Sequence, residues 1–406
     1  MTSKASSFFG WHVVAATFLV AMFGWGAGFY GPPIYLQMVV QRTGWPFALV
    51  SAAVTLHFLI GAVVVANLPR LYRRWGVPVT TFAGAVVLAF GVGGWSLASH
   101  PWHLFAAALL SGSGWVAMGA AAVNAIVAPW FIRKRPAALS MAYNGASVGG
   151  VVFSPLWVVL IAWSGFSQAA MIIGISMTAT VAVLSALVFS KSPEALGQSP
   201  DGAKSNQVER MAASSPGPSL PRGLLWRDRR FITLSAGMAA GLFAQVGLLA
   251  HLFSIVVPVF GAQGAGVLMG GATAAAVAGR TGIGWFMPIS ADRRLIASAS
   301  YGVQVIGSIT LLLAGGDHAA MIAGVLLFGL GIGNATSLPP LIAQLEFDKA
   351  DVSRVVPLIV ALSQATYALA PAVFGIVRTI SEPGVFILAA AIQLVAVATF
   401  VYGRQK

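Results

Sequence analysis

Residues 191–228 read KSPEALGQSPDGAKSNQVERMAASSPGPSLPRGLLWRD, between the apolar stretches SMTATVAVLSALVFS (176–190) and FITLSAGMAAGLFAQVGLLAHLFSIVVPVF (231–260). Serine, proline, glycine and mixed charge replace hydrocarbon here, the composition of a linker with no core of its own. Working outward, six apolar spans precede the linker, near 11–39, 45–68, 79–98, 102–129, 136–162 and 168–189. Six more follow it, near 229–260, 265–288, 295–315, 318–345, 352–378 and 383–402. Each is long enough to cross about 30 Å of hydrocarbon with some tilt. With 58% hydrophobic and 8% charged residues, the chain has lipid as its solvent. The reading predicts an all-α membrane protein with twelve transmembrane helices in two pseudo-symmetric six-helix bundles, 1–190 and 229–406, joined by the 191–228 linker.

A weak internal echo at an offset of about 215 residues supports duplication. Pro155 in span five answers Pro371 in span eleven, and the basic turn from Arg73 to Gly76 answers Asp292, Arg293 and Arg294. The stretch from Trp11 to Val40 is too long for a signal-peptide core and precedes no small-residue cleavage site, so it is expected to be a retained first span. The chain has no cysteine, which removes disulfides, thiol catalysis and Cys-based metal sites.

The net charge of +13 is distributed by side of the membrane. Twenty of the 23 Lys and Arg residues fall on the linker's side, only Arg42 and Arg378 on the other, and Arg280 within a span. This asymmetry predicts a multi-pass protein of the plasma (inner) membrane with both termini cytoplasmic, and it excludes a nucleic-acid partner. Trp11, Trp45, Trp75, Trp95, Trp102, Trp130, Trp163 and Trp226 stand near span ends, where an indole sits best.

Arg280 is the one residue of fixed charge away from the ends of the spans, and no Asp or Glu accompanies it there. A guanidinium does not deprotonate at accessible pH, and an unpaired cation near the bilayer centre costs on the order of 3 kcal/mol by insertion scales. An arriving anion is its simplest counter-ion. Thr273, Ala276, Val277 and Gly284 share its helix face and leave room for a carboxylate, which accepts a bidentate pair of hydrogen bonds. The alternative reading gives Arg280 backbone carbonyls as partners, or a snorkelling path to the headgroups.

His57 in span two and His251 in span seven are candidate proton carriers, set against the plainer reading of neutral, hydrogen-bonded rings. Tyr30, Asn124, Asn334, Gln364 and Tyr367 are candidate cavity residues, with Gln364 and Tyr367 on one helix face and Pro371 a turn beyond. Each has the alternative of bridging helices. The glycine spacings Gly24-x3-Gly28 and Gly145-x3-Gly149 predict close helix approach. All ten acids lie in loops, which argues against a sodium site built from carboxylates. No HExxH, phosphate loop or catalytic carboxylate pair occurs, and GLGIGN at Gly329 lies inside an apolar span, so no enzyme is expected.

Several segments together resemble the major facilitator superfamily, and within it the monocarboxylate transporter and oxalate/formate antiporter branch. They are GWHVVAATF from Gly10, WFIRKRPAALSMAYNGASVGG from Trp130 to Gly150, GRTGIGW from Gly279, GNATSLPPLIAQLEF from Gly333 and QATYALAPAVFG from Gln364. The resemblance implies that Arg280 binds a substrate carboxylate, that span seven meets span one at the extracellular gate, and that Arg133, Arg135, Tyr143 and Asn144 belong to the cytoplasmic gate. Two departures stand out: Arg73 occupies the place of the superfamily's loop Asp, and Pro288 the matching place in the second half. The function implied is secondary transport of small organic anions, chiefly monocarboxylates, by proton symport or anion exchange. The alternatives are an exporter of amphipathic or neutral compounds and a ligand-binding membrane sensor. The expected partners are the anion, a co-transported proton and the bilayer, with no cofactor, no metal and a monomeric carrier.

Overall fold

The computed structural model describes residues 8–202, 225–288 and 291–404. Residues 203–224 of the linker and both chain ends lie outside the described residues. The elements are α1 (Gly10–Gly28), α2 (Pro32–Thr43), α3 (Phe47–Leu97), α4 (Pro101–Trp115), α5 (Ala120–Val127), α6 (Arg135–Leu184), α7 (Arg229–Phe286), α8 (Arg293–Leu313), α9 (His318–Glu346), α10 (Lys349–Tyr367), α11 (Ala370–Ile380) and α12 (Glu382–Tyr402). Among the described residues nine helical runs are long and apolar enough to cross a membrane. Three of them, α3, α6 and α7, each contain one glycine in the left-handed region, Gly76 (φ 77°), Gly165 (φ 81°) and Gly261 (φ 67°). There the helix breaks and reverses, because only glycine adopts this backbone without a β-carbon clash. Both limbs of α3 accordingly pass the same stretch of α4, with Gly112 against the His57 carbonyl and Gly114 against Leu88. Divided at those glycines, the nine runs become twelve segments.

Three single spans of the sequence reading are interrupted instead. The first breaks at residues 29–31, the fourth at 116–119 and the eleventh at 368–369, where Pro371 follows at once. Backbone freed in hydrocarbon needs new partners, and broken helices are tolerated where side chains supply them.

Glycine sets the close helix contacts within the first half. A β-carbon on Gly145 would lie 2.0 Å from the Phe18 carbonyl oxygen, and one on Gly149 would lie 2.5 Å from that of Met22. The Gly145-x3-Gly149 stripe therefore lets α6 touch the α1 backbone. The outer surface is apolar, with Trp163 and Ile380 each more than three-quarters exposed, as lipid-facing side chains are.

At the linker end the two halves are tied differently. In the second half Arg294, 2% exposed, holds both carboxylate oxygens of Glu346 at 2.6 and 2.8 Å, the Thr233 hydroxyl at 2.9 Å and the Arg230 carbonyl at 2.9 Å. In the first half, where Arg73 replaces the expected acid, the start of the linker does the work. The Asp201 carboxylate accepts from the backbone N–H groups of Ile132 (3.1 Å), Arg133 (2.6 Å) and Lys134 (3.0 Å) at the entry to α6. The Gln198 side chain accepts from Phe9 N at 2.9 Å, which fastens the same segment to the start of α1.

Partial burial raises the Asp201 carboxyl, but the three N–H donors and the Arg133 charge outweigh it and hold the group below its ordinary range. The depressed value means that this contact stabilises the fold above the ordinary Asp range, about pH 4, and is lost as pH falls below it. Asp201→Ala is expected to cost about 1–2 kcal/mol, the usual worth of a helix-entry cap. Thermal melts in detergent at pH 7 and at about pH 3.5 check this, with the deficit shrinking at the lower pH.

Candidate functional site

Two antiparallel seams join the halves, and each runs inward from the end opposite the linker. In the first, α3 meets α11. The Arg378 guanidinium sits 3.9 Å from the Phe47 ring centroid, Gly375 packs on Ser51, Thr55 Oγ1 accepts from Ala372 N at 2.9 Å, and Phe58 meets Tyr367 edge-to-face at 6.0 Å. In the second, α6 meets the second limb of α7. A β-carbon on Gly266 would lie 2.9 Å from Val158 and one on Gly270 would lie 3.0 Å from the Val151 carbonyl, while Gly150 faces Thr273 and Tyr30. The seam ends where Arg280 Nη2 donates to Ser147 Oγ at 3.2 Å.

Measured along the helices, the seams are about 16 and 21 Å deep at 1.5 Å per residue. Past Ser147 toward the linker end, Asn144 and Met141 on α6 and Trp285 and Phe286 on α7 are exposed. The interface is thus sealed at the far end and splayed on the linker side, and Arg280 stands at its inner margin.

The polar residues singled out from the sequence fall into two groups. The first group satisfies backbone at the helix breaks. His57 Nε2 donates to Gly28 O at 2.9 Å while its Nδ1 meets Ser111 Oγ at 2.8 Å, so both ring nitrogens are engaged inside the first half. His251 Nε2 donates to Pro371 O at 3.1 Å and lies 3.4 Å from Ser51 Oγ of the opposite half, and its buried Nδ1 has no partner. Asn124 Nδ2 donates to Ala120 O at 2.9 Å and to the Tyr143 hydroxyl at 2.6 Å, and Tyr143 itself donates to Ala120 O at 2.9 Å. Asn124 and Tyr143 therefore brace α5 against α6 through the Asn124 Nδ2 donor.

The second group has capacity to spare at the interface. Arg280 Nε is buried without a partner, and its guanidinium makes no ion pair among the described residues. Tyr30 lies close enough to interact with its charge, and Tyr30 and Thr273 both pack at Gly150. Asn334, 3% exposed, has a buried Oδ1 without a partner, and Gly333 beside it packs against the Arg280 side-chain root. Gln364 is half-buried one turn before Tyr367. Arg133 and Arg135 are exposed at the linker end beside Asp201, and Asn144 borders the opening.

Arg378 departs from its sequence assignment to an outside loop. It lies on α11 with its side chain 6% exposed, bonded to Ser254 and paired with Glu382 at 3.5 Å, and it closes the far end. Ser147, Thr273 and Ser51 were not singled out as site residues from the sequence. The available signals were that Thr273 sits seven residues before Arg280, two turns up the same face, and that Ser147 lies in the glycine-rich run entering α6. Among the described residues no three His, Cys, Asp or Glu side chains come together to hold a metal.

Two helical bundles meeting in two seams around a half-buried cation, open on one side, have the architecture of a membrane transporter and not of an enzyme. The Major Facilitator Superfamily model matches residues 13–375, and the chain belongs to that superfamily. Monocarboxylate transporter 11 of mouse is 27% identical over 201 residues, 47% of this chain and 43% of that protein. The human protein of the same name is 27% identical over 201 residues, 47% of this chain and 41% of that protein. The chain thus spans less than half the length of these curated relatives. The crystal structure of the nucleoside transporter NupG superposes with a TM-score of 0.73 at 13% identity, covering 98% of this chain and 100% of that one. A POT family transporter in complex with 5-aminolevulinic acid gives a TM-score of 0.72 at 14% identity over 96% and 94% of the two chains. A bacterial homologue of the human lysosomal transporter Spinster, solved inward-facing and occupied, gives 0.66 at 13% identity over 98% and 97%. At these identities the structural likeness concerns the fold alone.

Proposed function

We propose that the protein is a secondary active transporter of small organic anions, monocarboxylates foremost, that works by alternating access in the plasma (inner) membrane. One observation carries the reading: a guanidinium at the interface between the halves has a buried, unpartnered Nε and no carboxylate to neutralise it among the described residues. Sequence likeness to monocarboxylate transporters over 47% of the chain supports the same cargo. Arg280 is the carboxylate anchor, with Tyr30, Asn334, Gln364 and Tyr367 around the bound acid. The bundles are 1–190 and 229–406, the linker and both termini are cytoplasmic, and the carrier acts as a monomer. The described conformation then opens inward, with Arg133, Arg135, Tyr143 and Asn144 at its mouth.

Proton symport and anion exchange both satisfy the electrostatics. In symport His251 is the better proton site of the two histidines, because its Nδ1 is unpartnered and its ring joins both halves. In exchange, an empty cavity leaves Arg280 uncompensated and favours return with cargo. The test is uptake into proteoliposomes of labelled acetate, propionate, oxalate and benzoate, with uridine as an uncharged comparator. Saturable uptake of at least one acid and none of uridine is expected. Uptake of uridine alone, or of no acid, would overturn the proposal and favour the exporter or sensor reading.

A further inference from the structure

We propose that the Ser147 hydroxyl is the stand-in partner of Arg280 in the empty carrier, occupying the cation's hydrogen-bonding face until a carboxylate displaces it. The inference rests on the Arg280 reading above and goes beyond it, because it assigns a role in the unloaded half of the cycle.

Four observations lead there. Among the described residues the Arg280 guanidinium makes one side-chain hydrogen bond, to Ser147 at 3.2 Å. That bond joins the two halves of the molecule, whereas the backbone-satisfying bonds of His57, Asn124 and Tyr143 stay within one half. Ser147 is 8% exposed, so the bond is made away from bulk water, where an unmade one is expensive. Finally, Gly145 and Gly149 on either side of it press α6 onto the α1 backbone, which fixes the height at which Ser147 meets α7.

A hydroxyl is a weaker partner for a guanidinium than a carboxylate, which is charged and accepts two bonds at once. Cargo therefore wins the exchange, and Ser147 is released as it arrives. When cargo leaves, the guanidinium must pass through an occluded form with little water, and the hydroxyl keeps one of its donors satisfied during that passage. Ser147 is thus a positioning residue that acts through Arg280, not a contact to substrate. It lowers the barrier for the empty carrier and competes modestly with the bound acid.

The test uses full-length protein in proteoliposomes, with propionate as probe or oxalate if the panel shows no propionate uptake. For wild type, Ser147→Ala and Ser147→Thr, net efflux into probe-free buffer is compared with exchange against external probe, and probe affinity is read by thermal shift in detergent. Ser147→Ala is expected to tighten probe binding about threefold or more, as a competing partner is removed. Its net efflux is expected to fall several-fold more than its exchange, and Ser147→Thr, which keeps the hydroxyl, is expected to restore the wild-type ratio. Weaker binding in Ser147→Ala, or an equal fall in both fluxes, overturns the inference and makes Ser147 a direct ligand or a packing residue. An unchanged ratio with unchanged affinity overturns it as well. Arg280→Ala run beside these variants separates the two levels: if it still binds the probe, the anion-anchor reading itself fails.

Discussion

Arg280→Ala is expected to reduce uptake of any transported carboxylate by about 100-fold or more while leaving the melting temperature of the empty protein unchanged or slightly higher. Truncating one partner of a buried, hydrogen-bonded charge pair costs about 2–5 kcal/mol of binding, which spans roughly 30- to several-thousand-fold. The folded apo protein loses little in return. Among the described residues its guanidinium has one hydrogen bond, to a serine, and a buried Nε with no partner, so removing it removes an uncompensated desolvation. Arg280→Lys is also expected to fail, since an ammonium is a point charge without the planar fork that matches a carboxylate. Uptake assays paired with thermal melts, with and without saturating acid, check both halves of the statement. Stabilisation by ligand should vanish in the variants, because only binding to the folded state raises apparent stability. An Arg280→Ala protein that transports normally sinks the anion argument, and one that melts far lower shows Arg280 to be a structural cation.

The fold was legible because lipid imposes a simple pattern. Long apolar spans, a polar linker at 191–228 and basic loops on one side lead directly to two helical bundles. Arg280 was legible for the same reason, as a lone charge among apolar spans. The breaks in the first, fourth and eleventh spans were not, because a hydropathy window averages over a few irregular residues and Gly or Pro occurs throughout these helices. Missing the breaks had a consequence for the site. His57, His251, Asn124 and Tyr143 read from the sequence either as functional polar residues or as groups bonded within the helix bundle, and their bonds go to Gly28, Pro371 and Ala120 carbonyls, to Ser111 or to one another. A polar side chain in a membrane span announces that something needs a partner, and the sequence does not say whether that something is cargo or a neighbouring helix's backbone.

Arg378 shows the converse. Near a span end it looks like one more loop cation, yet folding lays it on Phe47 of the opposite half with Ser254 as partner. Desolvated at a helix interface, a guanidinium over an aromatic face is worth about 2 kcal/mol, enough to bias which end of the molecule is shut. The partner lies about 330 residues away in sequence, and no local pattern encodes such a pairing.

The second large effect is expected from a residue that touches no cargo. On α9, a β-carbon at Gly333 would lie 2.1 Å from the Ala276 carbonyl oxygen and 3.0 Å from Arg280 Cβ. On α7, a β-carbon at Gly279 would lie 2.1 Å from the Leu330 carbonyl oxygen. The two helices thus touch backbone to backbone, and the contact is made by reciprocal glycines on either side of the anchor. Because the obstructing atoms are main-chain oxygens, a larger side chain is accommodated only by moving a helix. Gly333→Val is expected to cost about 1–3 kcal/mol of stability through overpacking. Parting α7 from α9 by about 1 Å also carries the guanidinium off its position, and a misplacement of that size costs on the order of 100-fold in a positioned step. Gly282→Val is the internal comparison, since that glycine lies two residues past Arg280 with nothing within 4 Å of its β-carbon position. The expected outcome is that Gly333→Val and Gly279→Val lower both the melting temperature and carboxylate uptake, that Gly282→Val keeps both, and that Arg280→Ala lowers uptake alone. Normal uptake by Gly333→Val at a reduced melting temperature would show that the anchor tolerates displacement, and with it that the α7–α9 crossing packs the bundle without setting the site.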